Sequence, residues 1–340
     1  MKSLSSRYYE EAIELHKESV VVLAHCDTIL HLLPGPHTPK DRVRKLGVKS
    51  DFGHVDLPRL LEVYVNCVFF AVYVESVFKP ERALRRALEL MERFYGEVEE
   101  LSNKVKLVKS FNDLRTGLRE NKLCAVLSLE GAEPVQDSLL LLRMFKRLGI
   151  MSMSLTWNER NMLADGCREQ RTKGGLTNRG VRYVKEAESL GVILDVSHLN
   201  DASFWDLIEI VKKPVIASHS NCRALCETPR NLTDEQLRAL AERNGVIGVN
   251  FAPSSLTKSE RATLDDVVKH INHIVEVTGI DHVGLGTDYD GIGETPIDLE
   301  DVSKLPNLTA RLIEQGYSDR ELRKILGENF IRVMKTCWEA

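Results

Sequence analysis

Short continuous apolar runs alternate along this chain with longer stretches in which apolar positions recur every three or four residues. The runs predict strands buried on both faces, and the longer stretches predict amphipathic helices. The clearest unit begins with Val192-Ile-Leu-Asp-Val-Ser-His198 and ends with Pro214-Val-Ile-Ala-Ser-His219. Between them, residues 199–213 carry Phe204, Leu207, Ile208 and Val211 at helical spacing. The unit is therefore strand, helix, strand, a parallel crossover. A strand that is apolar on both faces has room for an imidazole only at its end. His198 and His219 thus fall at carboxyl ends and point into one shared site.

The same reading places strands at 20–24, 63–74, 123–129, 150–156, 192–198, 214–219, 245–250 and 281–288. Helices are predicted at 5–18, 80–101, 112–120, 137–148, 177–190, 199–213, 234–243 and 264–278, with Thr177 as a cap and Gly191 as a stop. Residues 298–338 are predicted helical and packed outside. Residues 32–56, rich in Pro, Gly, Lys and Asp, predict a long loop over the site, a lid. Residues 159–175 predict a second loop at the same mouth. Strands alternating with helices predict an α/β fold, a (β/α)8 TIM barrel. No Gly-, Ser- or Pro-rich linker divides the chain, so residues 1–340 are expected to form one domain with an amino-terminal helix and a carboxyl-terminal helical extension.

Polar residues at the predicted strand ends are His25, Asp27, Glu130, His198, His219 and Asp288. His25 and Asp27 stand two apart, so on a strand they share a face and can grip one ion. Glu130 follows a mostly apolar strand and is costly to bury without a cation or hydrogen-bond donors; its bland alternative is a helix-cap acceptor. For a single strand-end histidine the bland alternative is a hydrogen-bonded structural role. Three imidazoles and three carboxylates exceed the ligand set of one zinc ion, and two metals sharing a bridging carboxylate would fit.

Composition narrows the partners. Hydrophobic residues make up 43% and charged residues 28%, ordinary for a soluble enzyme, and a formal net charge of -4 gives no reason to expect nucleic acid. The seven cysteines include no CxxC pair; they read as small core residues in a reducing compartment rather than a thiolate zinc site. The amino terminus is polar and acidic, unlike a signal peptide, and no terminal anchor is recognisable. A cytoplasmic location and no membrane partner are the resulting expectations.

With those residues in place the chain resembles the membrane dipeptidase, or renal dipeptidase, family, zinc peptidases of the amidohydrolase superfamily. The likeness spans nearly the whole chain. It rests on His25-Cys-Asp27, Leu129-Glu130-Gly131, Gly174-Gly-Leu-Thr177, Asp195-Val-Ser-His198, Ser218-His219-Ser220, Pro229-Arg230-Asn231-Leu and Gly286-Thr-Asp288-Tyr-Asp290-Gly. Carried over by position, the resemblance implies a TIM barrel of the metal-dependent hydrolase type. It makes His25 and Asp27 ligands of one zinc, His198 and His219 ligands of the other, and Glu130 the bridge. Two such ions roughly 3.5–4 Å apart can polarise a bridging water to hydroxide. Asp288 would then carry the proton to the leaving amine, and Arg230 would clamp the free carboxylate of a dipeptide with its planar fork. Without the resemblance Arg230 would read as a solvated charge flanking a helix.

One departure touches the chemistry. Family members such as the renal enzyme place a histidine after the fourth strand to steady the tetrahedral intermediate, whereas this chain has Leu155-Thr156-Trp157-Asn158. The substitutes open to it are the Trp157 indole N–H, Asn158, or a loop residue such as Arg160, which makes Trp157 and Asn158 substrate-binding candidates. The alternatives to a dipeptidase are a related amidohydrolase acting on an N-acyl amino acid or a lactam, and a metal-bound inactive homologue. Retention of Asp288 argues against the last. The sequence leaves the oligomeric state open, a homodimer being one option.

Overall fold

Nine strands form in the computed structural model, which describes residues 6–339: β1 (Val21–Cys26), β2 (Val65–Tyr73), β3 (Val105–Val108), β4 (Leu123–Glu130), β5 (Ile150–Ser154), β6 (Ile193–Asp195), β7 (Ile216–Ser220), β8 (Val246–Val249) and β9 (Val283–Leu285). Residues 1–5, which include the first residue of the predicted helix 5–18 and part of the amino-terminal stretch discussed above, lie outside the described residues. All pairings between strands are parallel. Each of β1, β2 and β4 to β9 pairs with its neighbours in that sequence, and β9 closes on β1 through Leu23 and Leu285. The result is the predicted closed (β/α)8 barrel.

β3 is the element that the apolar pattern misses. Val-Lys-Leu-Val is four residues long and pairs only with the first half of β4, from Leu123 to Val126. β2 pairs directly with β4 from Cys67 to Tyr73, so β3 hangs outside the closed ring. Its one strand partner is β4, its Val105 and Val108 are buried in the core, and so short a run carries no period of its own to read.

Four of the helices on the barrel begin at a side-chain cap. Ser110, Ser138, Thr177 and Asn200 each accept a backbone N–H from the first turn of the helix that follows, replacing a hydrogen bond the helix cannot make internally. The predicted strands 192–198 and 281–288 shrink most, to three residues each. β6 ends at Asp195 because its carboxylate accepts the N–H groups of Ser197 and Ser218, drawing the backbone away from the sheet. Residues 280–282 form a 3-10 turn ahead of β9.

The carboxyl-terminal residues correct one expectation. They are helical over Leu305–Glu314, Asp319–Arg323 and Asn329–Trp338, but the last helix does not simply coat the outer wall. Its stripe of Phe330, Val333, Met334 and Cys337 shares one apolar cluster with Val22, Cys67, Cys124, Met151, Ile193, Ile216 and Val246, residues near the amino ends of their strands. The helix closes that end of the barrel, which leaves the carboxyl end for chemistry. Among the described residues no helix is long and apolar enough to cross a membrane.

Candidate active site

The strand-end residues converge. Glu130 sits at the centre: its Oε2 lies 3.5 Å from His25 Nε2, and its Oε1 lies 3.0 Å from His198 Nε2 and 3.7 Å from His219 Nε2. His25 Nε2 is also 3.1 Å from Asp27 Oδ2 and 3.9 Å from Asp288 Oδ1. All six side chains are buried or nearly so. Glu130 meets imidazoles rather than a helix end, so the cap alternative falls away. A register shift in β1 between Leu23 and Cys26, an extra residue against β2, marks a bulge beside His25. His198 (φ 72°) and Asp288 (φ 60°) take left-handed backbone geometry, strain of the kind that functional sites retain.

Hydrogen bonds fix the tautomers of two histidines. His198 Nδ1 lies 2.8 Å from Asn158 Oδ1, an acceptor, so Nδ1 carries the proton. Ser218 Oγ donates to Asp195 Oδ2 at 2.5 Å and therefore accepts from His219 Nδ1–H at 2.7 Å. Both Nε2 lone pairs then face each other across 2.8 Å. Burial, aided by the charges of Arg230 and His25, holds both imidazoles well below their ordinary pKa and so neutral. Facing lone pairs, the Glu130 carboxyl group between them and a buried Asp27 Oδ1 without a partner together fit metal cations. The ligand atoms of His25, Glu130 and His219 lie within 4.8 Å of one another, as do those of His25, Asp27 and Asp288.

Charge within the cluster is balanced finely. Burial opposes a charged His25, but Asp27 and Glu130 overcome it and raise its pKa to about 10. Burial drives Glu130 upward, against the pull of His25. Asp288 is pushed up to about 6 by burial, against His25 and with the help of Asp27, while the Asn250 amide donates to its Oδ2 at 2.9 Å.

The cluster opens into a cavity of about 650 Å³ at the carboxyl end of the barrel, lined among others by Tyr73, Trp157, Asn158, Arg168 and Arg230. Pro36 and His37 also line it, so the 32–56 loop does border the site. Arg230 donates to Ser220 Oγ at 2.8 Å and to the His219 carbonyl at 2.6 Å, which aims its fork from beside a metal-ligand candidate. Trp157 lies 5.2 Å from the Tyr73 ring and 6.0 Å from His198 between centroids. Lys79 braces both aromatic rings and pairs with Glu133 at 3.5 Å and Glu159 at 3.3 Å.

Two of the substitutes for the absent histidine have partners elsewhere in the fold. Asn158 lines the cavity, but its Oδ1 is taken by His198 and by the Cys167 thiol, so it positions the His198 imidazole and has only its NH2 group for a substrate. Arg160 pairs with Asp165 instead of entering the cavity.

The profile of the membrane dipeptidase family, peptidase family M19, matches residues 9–340. The chain belongs to this family. It is 33% identical over 293 residues to dipeptidase tcpJ of Claviceps purpurea, covering 83% of this chain and 69% of that one. It is 34% identical over 300 residues to the uncharacterized dipeptidase C965.12 of Schizosaccharomyces pombe, with 83% and 72% covered. The structure resembles dipeptidase AC, an M19 metallopeptidase, with a TM-score of 0.86 at 30% identity over 95% of this chain and 99% of the other. It also resembles a Rhodobacter sphaeroides metallopeptidase liganded with a phosphinate mimic of L-Ala-D-Ala, with a TM-score of 0.87 at 29% identity over 94% and 100%. This M19 chain is an enzyme, a hydrolase of the metallo-dipeptidase class.

Three contributors to the M19 site escaped sequence reasoning. Tyr73 ends β2 opposite Glu130 and lines the cavity; the strand-end rule that found the histidines applies to it equally. Asn250, at the end of β8, was likewise within reach of that rule. Gly291 closes the motif that begins at Gly286, but its role is visible only in the fold: a Cβ there would lie 2.2 Å from Asp27 Oδ2 and 2.6 Å from Asp288 Oδ1, so the site needs the missing side chain.

Proposed function

We propose that this chain is a binuclear zinc dipeptidase that hydrolyses the peptide bond of dipeptides, with Asp288 moving the proton and Arg230 holding the substrate carboxylate. The observation that carries it is the pair of neutral imidazoles whose Nε2 lone pairs face each other beside Glu130. His25 and Asp27 would hold one ion, His198 and His219 the other, and Glu130 both. Bound there, the ions supply Lewis acidity and a water acidified to near neutral pH. Asp288 Oδ1 faces the cluster while Oδ2 is held by Asn250, so the free oxygen accepts the proton of the attacking water and returns it to the leaving amine. Two Arg230 donors are spent on Ser220 and His219, and the rest of the fork is available to a carboxylate. The dipeptide mimic bound by the Rhodobacter sphaeroides relative supports this substrate class. A cytoplasmic location belongs to the same reading, supported by seven free, buried cysteines.

Elemental analysis of purified protein tests the metal centre: two divalent ions per chain are expected, with loss on Glu130→Ala. One ion that survives Glu130→Ala sinks the bridged centre. Asp288→Asn should keep both ions and lose turnover by about 100-fold or more. Loss of metal from that variant would make Asp288 a ligand instead.

A further inference from the structure

Carboxylates that line the cavity outside the metal-ligand cluster already have cations of their own. Glu75 is gripped by Arg86 through bonds of 2.6 and 3.0 Å, and Asp290 lies 2.7 Å from the Arg44 guanidinium. The two cavity arginines are not matched in return: among the described residues neither Arg168 nor Arg230 forms an ion pair with a carboxylate. Arg230 is accounted for by one substrate carboxylate. Arg168 remains.

Its side chain is exposed, yet its backbone is pinned. The Arg168 N–H donates to the Asn158 carbonyl at 3.0 Å, and the preceding Cys167 N–H donates to the His198 carbonyl at 2.7 Å. The residue is thereby tied to the segments that follow β5 and β6, the ones that carry the site. Its guanidinium carbon lies 5.4 Å from the centre of the Trp157 ring. A cation–π contact orients the charge without consuming its N–H donors. The aromatic ring and the free arginine line the same part of the cavity wall.

We propose that Arg168, oriented by Trp157, forms a subsite for an acidic side chain, so that the preferred substrates are dipeptides containing glutamate or aspartate. The inference rests on the dipeptidase reading: Arg230 takes the terminal carboxylate and Arg168 takes the second one. An exposed charge contact is weak, so the expected preference for a Glu-containing dipeptide over its isosteric Gln partner is about threefold to tenfold in kcat/KM.

The experiment compares metal-loaded wild type, Arg168→Met and Arg168→Lys on Ala-Glu against Ala-Gln, and on Glu-Ala against Gln-Ala, with Ala-Ala alongside and with L and D forms of the second residue. The readout is the Glu/Gln ratio within each protein, in which any general loss of activity cancels. Wild type should favour Glu in one of the two pairs, Arg168→Met should abolish that preference, and Arg168→Lys should keep part of it. The ratio should also shrink as salt rises from 0.05 to 0.5 M because the contact faces solvent, an effect that follows from a screening length of about 10 Å near 0.1 M. Equal ratios in wild type and Arg168→Met, with Ala-Ala still hydrolysed, would overturn the acidic subsite and leave the dipeptidase reading intact. Failure to hydrolyse any of the dipeptides would overturn both.

Discussion

Arg230 is half-buried at the cavity wall, and two of its donors are already held by Ser220 and His219. If the remaining fork binds a terminal carboxylate, Arg230→Ala removes a charge-assisted contact of roughly 1.5–3 kcal/mol, about a tenfold to hundredfold loss of kcat/KM. Arg230→Lys should recover only part, since an ammonium cannot supply two parallel donors. The comparison that isolates the role pairs each dipeptide with its carboxyl-terminal amide. Wild type should strongly favour the free acid, and the alanine variant should lose most of that preference. Equal discrimination in both proteins would reduce Arg230 to a structural tie between Ser220 and the His219 backbone.

At the scale of elements, the motif Gly286-Thr-Asp288-Tyr-Asp290-Gly divides its two aspartates between different tasks. Asp288 faces His25 in the strand-end cluster, whereas Asp290 anchors the 32–56 loop. It accepts from the His54 N–H at 2.6 Å and the Thr28 hydroxyl at 2.6 Å, and it pairs with Arg44 at 2.7 Å. Burial alone would raise its pKa, but Arg44 and His31 hold it below the usual carboxylate range. Asp290→Ala leaves the buried Arg44 unpaired, a change that costs about 3–5 kcal/mol. Limited proteolysis should then cut within 32–56 well before the barrel. Unchanged protection of that loop would show that it stays closed without Asp290. His16 ties three elements in a similar way: its Nδ1 donates to the Val63 carbonyl at 2.9 Å and its Nε2 accepts from the Thr309 hydroxyl at 2.8 Å. Burial lowers its pKa from 6.5 to about 4, so the folded protein keeps His16 neutral where the unfolded chain would protonate it. The unfolded state therefore binds more protons between those values. The stabilisation is complete above pH 6.5 and is lost as the pH falls toward 4. Between pH 7 and pH 5 it should account for about 2 kcal/mol in urea unfolding. His16→Gln, less stable at pH 7, should show a pH dependence flatter by that amount; parallel curves would refute the assignment.

For the whole molecule, the ring of strands and the cluster of ligand candidates are one unit, because the candidates come from five different strand ends. Removing metal with a chelator leaves several buried, mutually facing ligands unmatched, so Tm should fall and recover on adding back zinc, with activity following. At a free metal concentration 100 times Kd the linkage is about 2.7 kcal/mol per site. An unchanged Tm in chelator, with activity lost, would mean that the cluster is rigid without its ions. The alternation of β-branched runs with helical stretches was enough to determine the closed barrel, because periodicity and burial are local properties of sequence. The strand-end rule likewise placed His25, Asp27, Glu130, His198, His219 and Asp288, since an apolar strand can hold such groups nowhere else. What only the tertiary structure decided is how these groups are oriented and protonated. Asn158, and Asp195 acting through Ser218, select the imidazole tautomers of His198 and His219 from other segments, Asp290 fastens a loop more than 230 residues away through His54, β3 pairs only with β4, and the last helix closes the amino end of the barrel. Each depends on hydrogen bonds or packing between segments far apart in the chain, and no local pattern of apolar and polar positions encodes which distant partner a side chain will meet.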